Sequence, residues 1–93
     1  MDSIIQHVKE CYICGRTSCL EDHHIFFGIK NRENSEKYGL KVWLCVQHHR
    51  GGAGVHKNRS LDLEIKADAQ RAAMKKYAWS IKDFINIFGR TYI

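Results

Sequence analysis

Proline is missing altogether from the 93 residues, and there is no low-complexity tract and no internal repeat. A flexible linker joining two domains therefore has little support, and the chain reads as a single domain, 1–93. Nor does any apolar run approach the ~18 residues that a membrane span needs. The opening Met1-Asp2-Ser3 has no apolar stretch of the secretory type, so the expected setting is cytoplasmic, with no membrane partner. Acidic residues are the scarcer charge, ten Asp and Glu against fifteen Lys and Arg, leaving a formal charge of +5. Such an excess favours a polyanionic partner, because neutralised phosphates release counterions and steer association. Apolar bulk is limited too. A domain this short buries only about 60–65% of the surface its unfolded chain exposes, and cores of that size are commonly reinforced by a metal or by disulfides.

What is present is concentrated. All four cysteines and five of the six histidines fall between positions 11 and 56. In a reducing compartment four cysteines are better read as metal ligands or free thiols than as disulfides. Cys11-x-x-Cys14-Gly15 has the form of a zinc knuckle: two thiolates three apart reach one ion from a tight turn, and Gly15 permits the positive φ such a turn uses. Cys45-x-x-His48 repeats the spacing with an imidazole in the last place. Together they make a closed Cys3His set, Cys11, Cys14, Cys45 and His48, of structural type with Zn2+ as occupant. Cys19 lies outside both pairs and reads as a small buried or free thiol.

Around this set the chain suggests an α+β domain. The first ten residues, with Ile4, Ile5 and Val8, fit one helical turn or a short strand. A strand is expected over residues 22–27, where two histidines run into Ile25-Phe26-Phe27. Residues 28–40 are polar and bounded by glycines, which predicts a loop with one helical turn at Ser35 to Tyr38. Lys41 to Leu44 makes a second strand, pairing with the first as a hairpin with a long connection. Gly51, Gly52 and Gly54 predict a flexible excursion returning at Val55-His56. Leu61, Ile65, Ala69, Ala72, Ala73 and Tyr77 recur at helical steps, so a helix is expected over about 60 to 77 with Ser60 as its N-cap. A second helix, opened by Ser80 and Asp83, would carry Ile81, Phe84, Ile85 and Phe88 on one face and stop at Gly89.

Once zinc is assigned, His7, His23, His24, His49 and His56 remain. His7 reads as a surface residue. The other four flank the two strands and the knuckle, and pairing of the strands would converge them. Adjacent His23 and His24 point to opposite sides of a strand, so one can bind a metal while its neighbour faces a water. Phosphodiester hydrolysis needs that division: a base for the water's proton and a cation for charge on the phosphate.

Cys-x-x-Cys, then His-His-Ile, then Leu-Cys-x-x-His-His with a glycine-bearing gap and Val-His, resembles the HNH (ββα-metal) endonucleases. The likeness is greatest to small phage-associated members related to the RecA-dependent recombination enhancement nuclease, and it covers about residues 11 to 60. It implies a small ββα-metal core at 11–59 carrying the zinc knuckle, with a helical extension at 60–93. It also implies metal-dependent cleavage of DNA in a bacterial host, with phage or prophage DNA processing as the role and a recombinase as a further partner. By the resemblance His23 and His56 are ligands of a catalytic Mg2+ or Mn2+, and His24 is the general base. His49 is either a further ligand or fills the place of the family's central Asn. No Asn lies between Cys45 and His56, and Asn31 and Asn34 are the candidates to orient the base instead. Lys30, Arg32, Lys41, Arg50, Lys57 and Arg59 flank the patch and are expected to hold the DNA backbone without reading bases. The alternatives are a zinc-containing DNA-binding module without turnover, and a protein-interaction module.

Overall fold

The computed structural model describes residues 2–93. Its elements run β1 (Leu20–His24), α1 (Ile29–Tyr38), β2 (Lys41–Cys45), α2 (Val46–His49), α3 (Arg59–Tyr77) and α4 (Ile81–Phe88). β1 and β2 pair antiparallel, with Leu20 opposite Cys45, Glu21 opposite Leu44, His23 opposite Val42 and His24 opposite Lys41. Residues that face each other across the ladder share a side of the sheet. Glu21 and His23 therefore lie on the side of Val42 and Leu44, both fully buried. Asp22 and His24 take the other side with Trp43 and Lys41.

The expected first strand ends early, at His24 rather than Phe27. The reason is Ser35, which is fully buried in α1. Its hydroxyl accepts from the Phe26 N–H at 3.1 Å and donates to the Phe26 carbonyl at 2.8 Å. The backbone of Phe26 is thereby satisfied by a side chain instead of by β2. The segment expected as a loop is in fact the ten-residue helix α1. Between Ile29 and Tyr38 it is polar throughout, so no apolar period marks it, and it is held by tertiary hydrogen bonds and by Tyr38 packing on the core. Asn31 and Asn34 donate their side-chain amides to the Phe88 and Ile87 carbonyls at 3.1 and 3.0 Å. These are carbonyls at the C-terminal end of α4, which a helix leaves without internal partners. Gly39, at φ 72°, closes α1 in the left-handed conformation.

The N-terminal segment forms neither the helical turn nor the strand expected of it. It lies along β2 instead. The Trp43 N–H donates to the Gln6 side chain at 2.7 Å, the Trp43 carbonyl accepts from Tyr12 N–H at 2.8 Å, and Ser3 donates to the Lys41 carbonyl at 2.6 Å. This covers the outer edge of β2, which would otherwise be open to pairing with another chain.

α3 starts one residue before the expected position, because Asn58 rather than Ser60 is its cap: the Asn58 side chain accepts from Leu61 N–H at 3.1 Å. Ile65, Ala69 and Ala73 enter the core as their spacing predicts. α4 opens with the expected reciprocal bonds between Ser80 and Asp83 and ends at Gly89, φ 95°. Its inward face is narrower than predicted. Phe84 and Phe88 are buried, whereas Ile81 and Ile85 remain 44% and 37% exposed. The Phe84/Phe88 row meets Phe26, with ring centroids 5.4 and 4.6 Å away, which turns the Ile81/Ile85 row outward. One hydrophobic cluster joins sheet, α3 and α4. Among the described residues no helix is long and apolar enough to cross a membrane.

Candidate metal centre

Cys11, Cys14, Cys45 and His48 converge, with ligand atoms all within 4.8 Å of one another. The knuckle turn is closed by Gly15 N–H donating to the Cys11 carbonyl at 2.8 Å and by Cys11 N–H donating to the Arg16 carbonyl at 2.7 Å, with Gly15 at φ 77°. β2 delivers Cys45, and the single turn of α2 returns His48 toward it. The Cys14 and Cys45 sulfurs are 3.8 Å apart, and His48 Nδ1 is 3.7 Å from Cys11 Sγ and 3.3 Å from Cys45 Sγ. A tetrahedral zinc site with its ordinary bond lengths has S···S edges of about 3.8 Å and S···N edges of about 3.5 Å. The set therefore has the dimensions and donor chemistry to hold a metal ion. Burial raises the Cys11 thiol, but the backbone N–H groups of Cys45, Cys14 and Ile13 and the Cys14 thiol outweigh it and bring Cys11 down to about 6. A thiolate, the ligating form, is thus favoured there before any ion arrives. Cys19 is exposed, unpaired and outside the set.

A second convergence lies beside the first. His23, His49 and His56 bring one ring nitrogen each within 4.8 Å of the others. Ring centroids stand 5.0 Å apart for His23–His49, 5.4 Å for His23–His56 and 5.0 Å for His49–His56. His23 comes from β1, His49 from α2 and His56 from the loop before α3. That loop is not the loose excursion its glycines predict. Gly54 N–H donates to the Gly51 carbonyl at 3.0 Å and Val55 N–H to the His48 carbonyl at 2.9 Å, folding the loop back on α2. Gly51 and Gly54 serve close approach rather than positive φ: a Cβ at Gly54 would stand 2.6 Å from the His49 carbonyl oxygen, and one at Gly51 2.8 Å from Gln47 backbone atoms.

His23 is 2% exposed, and its Nε2 is buried with no hydrogen-bond partner. An orphaned polar atom in the interior is unfavourable unless something occupies it, and a metal ion held with His49 and His56 fits that requirement. Burial, then the His49 and His56 rings and the Lys66 and His24 charges, push the His23 imidazole down to about 3. Burial and His49 lower His56 as well, with Lys66 adding to them and Asp62 opposing. Both imidazoles are therefore neutral at pH 7, the form that ligates.

Glu21, two residues before His23 on the same side of β1, completes this corner. Its carboxylate accepts from His49 Nδ1 at 2.9 Å and meets Arg50 at 3.0 Å. The hydrogen bond from His49, with the Arg50 and His49 charges, holds Glu21 below the usual carboxylate range in spite of partial burial. With Nδ1 so engaged, His49 has Nε2 left for an ion, the carboxylate–histidine arrangement that orients metal ligands. In the sequence Glu21 stands in the same stretch as His23 and His24 without a role of its own, although strand alternation from His23 puts it on the same side.

His24 does not join the three rings. It faces the other side of the sheet, with Nε2 3.8 Å from Glu36 of α1, and Glu36 is in turn ion-paired with the buried Lys41. Asn31 and Asn34, expected near the base, are instead committed to α4. Of the basic residues expected to flank the patch, Lys30, Arg32, Lys57 and Arg59 are exposed, Arg50 is exposed but paired with Glu21, and Lys41 is buried. Lys41 is therefore withdrawn from the surface by its acidic partners. No family model, curated protein or solved structure matches the chain.

Proposed function

We propose that the protein is a metal-dependent endonuclease of HNH type that hydrolyses DNA phosphodiester bonds, with zinc in the Cys3His set as a structural staple. The observation that carries this reading is the convergence of His23, His49 and His56, with the buried Nε2 of His23 left unpartnered. Two sites of different donor chemistry suit two ions. Three thiolates and an imidazole favour zinc in a closed site, whereas three imidazoles leave positions open for substrate and water. A divalent cation bound there would supply positive charge against the phosphate and the departing 3′-oxygen; imidazole donors suit a transition-metal ion better than Mg2+, which prefers oxygen ligands.

The residues of the chain then divide the work. His23, His49 and His56 hold the ion, and Glu21 fixes the ring of His49. His24 takes the proton of the attacking water as the new phosphorus–oxygen bond forms and the bond to the 3′-oxygen breaks. Lys30, Arg32, Lys57 and Arg59 are free to hold neighbouring phosphates.

The test is cleavage of plasmid and single-stranded DNA by zinc-loaded protein with Mg2+ or Mn2+. His24→Ala should lower turnover by about 10²–10⁴-fold, the usual worth of a positioned base, and His23→Ala should lose activity at ion concentrations that sustain the wild type. A folded, zinc-loaded protein with no activity on any DNA form, with either ion, defeats the reading. One observation favours a second reading, a DNA-binding module without turnover: the ring of His24 lies against Glu36, on the face of the sheet away from the three converging histidines. That reading expects DNA binding that weakens with salt and is indifferent to His24→Ala.

A further inference from the structure

A cavity of about 150 Å3 lies between the start of α3 and the C-terminal segment. Phe27 is common to this cavity and the histidine cluster: its ring lines the one and packs against His56 at 5.3 Å and His23 at 6.2 Å. The charged lining is Arg59, Lys66 and Arg90 against Asp62 alone. Asp62 is already committed, with Oδ1 2.5 Å from Lys66 Nζ and both side chains buried. Among the described residues neither Arg59 nor Arg90 has an acidic partner. Lys66 Nζ sits 3.9 Å over the Phe27 ring and the Arg90 guanidinium 4.6 Å over Tyr92, so both heads are braced by aromatic faces. Burial, and after it the Arg59 and Arg90 charges, lower the Lys66 amine against the pull of Asp62. Three cations around a hollow with one carboxylate among them repel one another, and an anion entering the hollow relieves that repulsion. The volume is several times that of one water molecule, which admits a phosphate group.

We propose that this cavity receives a phosphate group of the nucleic-acid strand, neighbouring the phosphate that is cut at the histidine cluster. The identity of the strand rests on the nuclease reading, while the cavity itself rests on its unpaired cations. Inorganic phosphate titrated into the zinc-loaded protein should shift the backbone NMR signals of Arg59, Lys66 and Tyr92. A single-stranded oligonucleotide, titrated at several salt concentrations without added divalent ion, should bind about 3–10-fold more weakly to Arg59→Ala and to Arg90→Ala at low salt. The slope of log affinity against log salt should fall in magnitude by about 0.7 for each phosphate no longer neutralised. Arg71→Ala, an exposed residue of α3 near Asp68, serves as control and should change neither. A loss confined to 5′-phosphorylated oligonucleotide assigns the site to a terminal phosphate, and an equal loss with a 5′-hydroxyl assigns it to an internal diester. A salt slope unchanged in both arginine variants overturns the proposal, and so does phosphate that leaves the cavity signals unmoved. Failure of the nuclease reading looks different: no cleavage with any ion, while phosphate still shifts the cavity signals.

Discussion

Two glycines two residues apart should answer very differently to the same methyl group. An alanine Cβ at position 54 would meet the His49 carbonyl oxygen at 2.6 Å, its carbon at 2.8 Å and the Gly51 carbonyl oxygen at 3.0 Å, whereas one at position 52 would meet nothing within 4 Å. The atoms in the way at 54 are backbone, so they cannot swing aside as a side-chain end would. Relief requires the loop to back away from α2 by something approaching an ångström, and overpacking of this kind typically costs about 1–3 kcal/mol. The loss should not stay local. His49 and His56 sit at the two ends of the strained contact, and their rings are only 5.0 Å apart. Gly54→Ala should therefore lower the urea midpoint and weaken Mn2+ binding by isothermal titration at least tenfold. Gly52 has no positive φ, so Gly52→Ala should be neutral or stabilising by about 0.4–1 kcal/mol through the unfolded state, with Mn2+ affinity unchanged. Equal behaviour of the two variants in both assays would refute the idea that close approach of this loop to α2 builds the histidine cluster.

Other perturbations have equally definite expectations. Glu21→Ala should weaken Mn2+ binding about 10–100-fold, the usual effect of removing a group that orients a metal-ligating histidine, and Glu21→Gln should lose less because it still accepts from His49. Ser35→Ala strips the buried partner from both polar groups of the Phe26 backbone and should cost about 1–3 kcal/mol in denaturant unfolding. A strong chelator should unfold the protein, read by loss of near-ultraviolet circular dichroism, since metal binding energy at such a site is folding energy. The fourth expectation concerns acid. His23 titrates at about 3 in the fold against 6.5 when free, so between those values the unfolded chain binds a proton that the folded one does not. Its contribution is full above pH 6.5 and is lost as pH falls toward 3, about 2 kcal/mol between pH 7 and 5. Without added divalent ion, wild type should lose more stability over that interval than His23→Asn, and parallel curves would contradict the burial assigned to His23.

The legible parts of this chain were those whose signal is a spacing. The two half-knuckles at Cys11/Cys14 and Cys45/His48, the amphipathic period of α3 and the Ser80–Asp83 cap are fixed by a few residues at set intervals, and the fold places them accordingly. α1 was illegible because its stability comes from elsewhere: Ser35, Asn31 and Asn34 bond to backbone brought near by tertiary structure. A polar helix of that kind has no apolar period to read. The row Asp62, Lys66 and Gln70 on α3 escaped for a related reason. All three are buried, yet polar residues at helical spacing read as a solvated face until their partners, here each other, Thr91 and Tyr92, are known. Within the candidate site the convergence of His23, His49 and His56 was legible from clustering, whereas the roles of Glu21 and Glu36 required the register of β1 and the placement of α1.

Crystals of the zinc-loaded protein soaked in Mn2+ and measured on both sides of the manganese absorption edge test the two-ion arrangement most directly. The expected result is a manganese peak bounded by His23, His49 and His56, separate from a zinc peak inside Cys11, Cys14, Cys45 and His48. Zinc alone in the thiolate set, with no manganese among the three imidazoles, would contradict it.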